Sequence, residues 1–278
     1  MKKKPLHCII SCLLLLAVVL AYSNHFNNAF HFDDSHVLVQ NKYVKDIRNI
    51  PTFFTDPNTK SVLPTNLAYR PMFMVTLAID HWLAGGLDPF YFHLSTFVWF
   101  LVQGVLMYFL FIKILNLALA HRWNGIIALF AVSWYMLHTA NAETINYVSA
   151  RTDSLTTLTV IAAFVIYIYA DSWKKHLSYI PIVIGILIKP TPVMYLPLLF
   201  FYKLIFERGV NLRAILKKKN RKIIIEELIS LIPLTVISFG VFYFTMKMTP
   251  DSWVPGGRSQ FYYLITQPFV ILRYFWTF

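Results

Sequence analysis

Apolar residues run along this chain in helix-sized blocks, and the polar residues fall between them. A first block covers 6–22, others follow at 89–115, 124–139, 152–170, 176–188, 191–206 and 223–246, and a last one starts near Tyr262. Blocks of this length without strand-like alternation predict membrane-spanning helices, roughly eight in all. The stretch 71–84 is apolar but short and carries Asp80 and His81, so it is expected to lie in the interface or re-enter the membrane rather than cross it. The blocks 176–188 and 191–206 are short as well, and Lys189-Pro190-Thr191-Pro192 between them breaks the helix twice. The predicted fold is therefore all-α, a polytopic transmembrane helix bundle forming one membrane domain over 1–278.

Two polar insertions interrupt this pattern, 23–88 and 208–222. The first is long for a connection inside a compact protein, and loops of that length are usually functional. Within it Asp34 or Ser35 is placed to cap a short helix over 37–41, and 46–54 reads as a second short amphipathic piece on the membrane surface.

Composition agrees with a bilayer as solvent. Hydrophobic residues make up 57% of the chain and charged residues only 14%, whereas about a quarter of a soluble domain is charged. The formal net charge of +12 does not indicate nucleic acid, because the basic residues cluster between apolar blocks and no RNA- or DNA-binding motif accompanies them. Those clusters set orientation instead. With the N-terminus cytoplasmic, the inner side collects most of the 25 basic residues, from Lys2-Lys3-Lys4 to the run between Lys203 and Lys222. The outer side then holds Asp33, Asp34, Asp46, Asp56, Asp80, Asp88, Glu143, Asp153 and Asp251, most of the 13 acids. The basic 208–222 segment can meet anionic lipid headgroups.

The three N-terminal lysines and the 6–22 block have the makeup of a signal peptide, but the block is long enough to span, and an uncleaved anchor is expected. Cys8 and Cys12, one helix turn apart inside that block, read as inert packing. The ending in 271–278 and the span count predict that sequence is missing from the C-terminal side.

The chemistry converges on the outer face. Asp33 and Asp34 stand side by side shortly after the first block, where an acid can take a proton from a hydroxyl or hold a cation. His31 and His36 flank them and would suit a divalent metal. The 137–153 connection brings His138, Glu143, Arg151 and Asp153 to the same side. No Gly-rich phosphate loop is present, so a soluble nucleotide sugar is not indicated.

The series Phe32-Asp33-Asp34, Gln40-Asn41-Lys42-Tyr43-Val44, Asn49-Ile50-Pro51-Thr52-Phe53-Phe54, Tyr69-Arg70-Pro71-Met72, Pro89-Phe90-Tyr91-Phe92-His93-Leu94 and the 138–153 segment, in that order, resembles the membrane part of the transmembrane and tetratricopeptide-repeat O-mannosyltransferases, which are GT-C glycosyltransferases. The resemblance implies a GT-C-like bundle that moves a sugar, mannose being one candidate, from a polyprenyl-phosphate-linked donor to a hydroxyl of a protein or glycan acceptor on the outer or lumenal face. Such a reaction needs a base for the hydroxyl and a fixed cation for the departing phosphate. It assigns the base to Asp33 or Asp34, with Asp33 favoured, and the phosphate contact to Arg151 or, second, Lys189. Pro190 stands where the family usually has an acid after that lysine. Glu143, Arg70, Asp153 and His138 are expected to orient the acceptor or pair with these groups. No cofactor and no metal are expected, since lipid-monophosphate donors do not generally require one. A transporter or lipid flippase is the competing reading, because outer acids and a broken helix also suit a substrate path. An inactive membrane scaffold is the third.

Overall fold

The computed structural model describes residues 4–215, 217–254 and 260–277. Among them the chain is helical, with no strand. The principal helices are α1 (Lys4–Ala21), α2 (Ile50–Thr55), α3 (Pro71–Ala84), α4 (Pro89–Ala118), α5 (Asn124–Leu137), α6 (Asn141–Asn146), α7 (Arg151–Tyr169), α8 (Tyr179–Ile186), α9 (Tyr195–Tyr202), α10 (Arg221–Ser230), α11 (Ile232–Met248) and α12 (Gln260–Thr277).

Of these, His7–Asn27, Pro89–Ala118 and Arg151–Tyr169 are long and apolar enough to cross a bilayer. The pair α10 and α11 makes a fourth span if counted as one, bent by 50°. Pro233 in the first turn of α11 is the cause, since its ring displaces the preceding backbone and removes a donor. Three or four candidate spans among the described residues are fewer than the apolar blocks predict. Proline again accounts for much of the difference: Pro181, Pro192 and Pro197 divide 176–206 into α8, a helical turn at Thr191–Met194 and α9, none longer than eight residues. The 14-residue α5 is also too short for a full crossing.

The bundle is organised around α4, which packs on α7 and α5, while α1 lies against α5 and α8 against α7. Close approach of α7 and α8 depends on Gly185, where a Cβ would sit 2.2 Å from Thr159 Oγ1. Inside the bundle, buried Gln103 donates to Tyr135 Oη at 2.7 Å and accepts from Ser154 Oγ at 3.1 Å, so α4, α5 and α7 share one satisfied polar chain.

A second apolar core lies toward the outer loop. Val37, Leu38, Val44 and Phe53 from the loop pack on Phe73, Met74 and Leu77 of α3, on Phe92 and on Leu155. The loop between α1 and α3 is therefore a folded cap. Buried Asn41 ties it together, donating to the carbonyls of Val37 and Thr59 at 3.0 and 2.8 Å. Gly85, at φ 65, ends α3 in the left-handed conformation that favours glycine and turns the chain into α4.

Candidate active site

Asp33 and Asp34 are neighbours in sequence and opposites in environment. The chain passes Phe32 at φ 48 and enters a helical turn at Ser35–Val39, whose first bonds run from the amides of His36 and Val37 to the Asp33 carbonyl. This turn sends the two carboxylates in different directions. Asp34 is 1% exposed: Oδ1 accepts from Ser149 N and Oγ at 2.9 and 2.6 Å, and Oδ2 accepts from His31 N at 3.1 Å. It does not cap the following turn, contrary to the expectation, because its side chain reaches back to His31 and across to the segment before α7. Burial pushes its pKa up, and the bonds from Ser149 and His31 oppose the shift. Asp34 latches the loop after α1 to the segment before α7. Replacing it with Ala leaves the half-buried Ser149 donors unpaired and should cost about 1 kcal/mol, read as a lower unfolding midpoint of the purified protein.

Asp33 faces outward with about half of its side chain accessible, Oδ1 lying 3.3 Å from His36 Nε2 and Oδ2 accepting from Asn66 Nδ2 at 3.4 Å. His36 is steadied from its other side, with Nδ1 at 2.9 Å from Ser61 Oγ. Asn66 is held by buried Lys60, whose ammonium donates to both its main-chain and side-chain oxygens. Burial, reinforced by the charge of Arg70, pulls the Lys60 ammonium down to about 7, and Asp33 pulls it the other way. Lys60→Met should therefore release the Asn66 amide from Asp33 and lower activity by about 10-fold, a loss that Lys60→Arg partly restores.

Arg70 precedes Pro71 at the start of α3. It is partly buried, and its side chain forms no hydrogen bond or close ion pair with any described residue, while its carbonyl accepts the Met74 amide at 3.2 Å. Burial lowers its pKa, and the charges of Asp153 and then Asp33 oppose the shift. Asp153, in the first turn of α7, forms an ion pair with Lys189 from the turn after α8. Lys60, Arg70 and Lys189 thus each have Asp33 or Asp153 as an opposing charge.

Arg151 occupies a different place from the one its position in sequence implies. It is 0% exposed, with Nη1 bonded to Asp80 and at 3.3 Å from Ser95 Oγ, and with Nη2 donating to the Phe92 carbonyl at 2.8 Å. Ser95 Oγ completes the Asp80 carboxylate with a 2.7 Å bond. This guanidinium ties α7 to α3 and α4, and its bonds are made inside the protein. A phosphate could reach it only by breaking a buried ion pair, which is strongly unfavourable.

Glu143 is exposed in the first turn of α6 and, with His138, lines a cavity of about 660 Å³. Tyr147 Oη on the cavity wall accepts the Asp33 amide at 2.9 Å, so the cavity and Asp33 are immediate neighbours. Glu143 and His138 therefore share the cavity that adjoins Asp33. The His36 ring meets Asp33, but no cluster of three His, Cys, Asp or Glu side chains suited to a metal occurs among the described residues.

Sequence reading missed Lys60, Asn66 and Ser61 as partners of the acidic pair, and Asp80 as the partner of Arg151. Asp80 did carry a signal, an acid inside an apolar helix where only a buried cation would make it tolerable.

No family model matches the chain, and no solved structure matches it. Two curated proteins do. It is 27% identical over 177 residues to Protein O-mannosyl-transferase TMTC3 of Mus musculus and 24% identical over 177 residues to the same protein of Homo sapiens. Each match covers 62% of this chain and 18% of the relative, so the chain spans about a fifth of the length of the curated relatives it matches. Together with the long apolar helices, this distant relationship indicates a glycosyltransferase-like membrane protein.

Proposed function

We propose that the protein transfers a sugar from a polyprenyl-phosphate-linked donor to a hydroxyl acceptor on the outer or lumenal face of its membrane, within a GT-C-like bundle. The observation that carries this reading is the contrast within the acidic pair. Asp34 is consumed by structure, whereas Asp33 is open, aligned by His36 and Asn66, and under the charge of Arg70, whose side chain has no hydrogen-bond partner among the described residues.

In this reading the acceptor hydroxyl oxygen attacks the anomeric carbon and gives its proton to Asp33. The bond from that carbon to the phosphate oxygen breaks, and polyprenyl phosphate leaves with the negative charge. Arg70 holds that charge, with Lys189 as the second cation once the phosphate displaces Asp153 from it. Charge builds on the phosphate only as the bond breaks, so a cation fixed beforehand favours the transition state. Arg70 is better suited than a lysine, because its planar fork matches two phosphate oxygens. Arg151, the first expectation for this contact, is assigned a structural role instead. Glu143 and His138 belong to the acceptor side.

The direct experiment supplies a radiolabelled polyprenyl-phosphate sugar to the purified protein in liposomes and measures both covalent transfer and uptake. Transfer is expected. Uptake without transfer would replace this reading with that of a transporter. Arg70→Gln should lower transfer about 100-fold, and Arg70→Lys should restore only part of it, since a point charge cannot reproduce the fork.

A further inference from the structure

The cavity beside Asp33 has walls that a hydroxyl-bearing side chain alone would not require. Its volume of about 660 Å³ lies within the range of small-ligand sites. Its one acidic wall is Glu143, and neither lysine nor arginine lines it, its basic groups being the imidazoles of His25, His31 and His138. The amide side chains of Asn24, Asn28 and Asn146 offer neutral donors and acceptors. Phe32 and Tyr147 supply aromatic surface, their rings edge to face with centroids 5.7 Å apart.

Phe32 is the informative residue. A large side chain 85% exposed gains little by burial, and a non-glycine residue at φ 48 is held against its own preference. The strained backbone presents an aromatic ring at the cavity edge one residue before Asp33. A phenyl face, amide groups and a carboxylate match one chemical class, a pyranose. Its C–H face is apolar and stacks on an aromatic ring, while its vicinal hydroxyls pair with a carboxylate and with amides. An extended peptide acceptor would call for a strand edge or a long groove, and no strand occurs among the described residues.

We propose that this cavity is a saccharide site, with Phe32 and Tyr147 as its stacking wall and Glu143 as its hydroxyl acceptor, so that the sugar-accepting hydroxyl belongs to a neutral glycan. The inference rests on the transfer reading above, but its test does not. The protein in lipid nanodiscs is probed by saturation-transfer NMR with mannobiose, maltose and lactose, and separately with a Ser/Thr-containing peptide. At least one disaccharide is expected to bind the wild type. Phe32→Gly, which relieves the backbone strain while removing the ring, should weaken that signal at least about fivefold without lowering the melting temperature, and Phe32→Trp should retain it. Glu143→Gln should weaken binding as well. Undiminished binding to the Phe32→Gly variant, binding of the peptide alone, or no disaccharide binding to the wild type would overturn the proposal. Asp33→Asn should keep the disaccharide and lose transfer. If it keeps both, the transfer reading fails and the saccharide site stands.

Discussion

Asp33→Asn is expected to lower sugar transfer at least about 100-fold, the usual scale for removing a general base, while leaving the unfolding temperature close to that of the wild type. Asn is nearly isosteric and can keep contacts with His36 and Asn66, so the loss would come from the proton it cannot take. Asp34→Asn should behave in the opposite way. Its carboxylate accepts from both donors of Ser149 and from the His31 amide, and an amide in its place turns a donor toward at least one of them. Stability should fall and transfer should persist at temperatures where the fold holds. Measuring both quantities on both variants separates chemistry from scaffolding in two adjacent residues. Full transfer by Asp33→Asn removes the base from the account.

The second large effect is on the fold. Arg151→Met leaves Asp80 as a buried charge without its partner and should cost about 3–5 kcal/mol, seen as a large drop in melting temperature and a poor yield of folded protein. Asp80→Leu alone should cost as much, because it strands the guanidinium. The double variant Arg151→Met with Asp80→Leu should recover most of the loss, since a buried pair replaced by apolar side chains of similar volume is often neutral. Were Arg151 a phosphate ligand, the single substitution would leave the melting temperature unchanged and raise the donor KM.

These two cases show where sequence reading reached and where it stopped. Apolar blocks located α1, α4, α5, α7 and α11, because burial in lipid leaves a long uniform signature. They overcounted spans because a block says how apolar a segment is, not whether prolines such as Pro192 and Pro233 let it stay straight. The acidic pair stood out against an apolar background, yet nothing local separates Asp33 from Asp34. The separation comes from the turn at Phe32 and from Ser149, 115 residues away from Asp34. The ion pair of Arg151 was hidden for the same reason: its partner Asp80 lies 71 residues earlier, and only the packing of α3 on α4 brings them together. Arg70 was legible as a residue before a helix-starting proline, but its lack of a partner was not.

In the proposed reaction Arg70 holds a phosphate-linked lipid for attack by the hydroxyl that Asp33 deprotonates. Native mass spectrometry of the protein released from its own membranes tests it most directly. Wild type and Asp33→Asn should both carry a polyprenyl phosphate or its sugar-bearing form, and Arg70→Gln should lose that mass while keeping ordinary phospholipids. Absence of such a lipid from the first two, or equal occupancy in the third, would contradict the account.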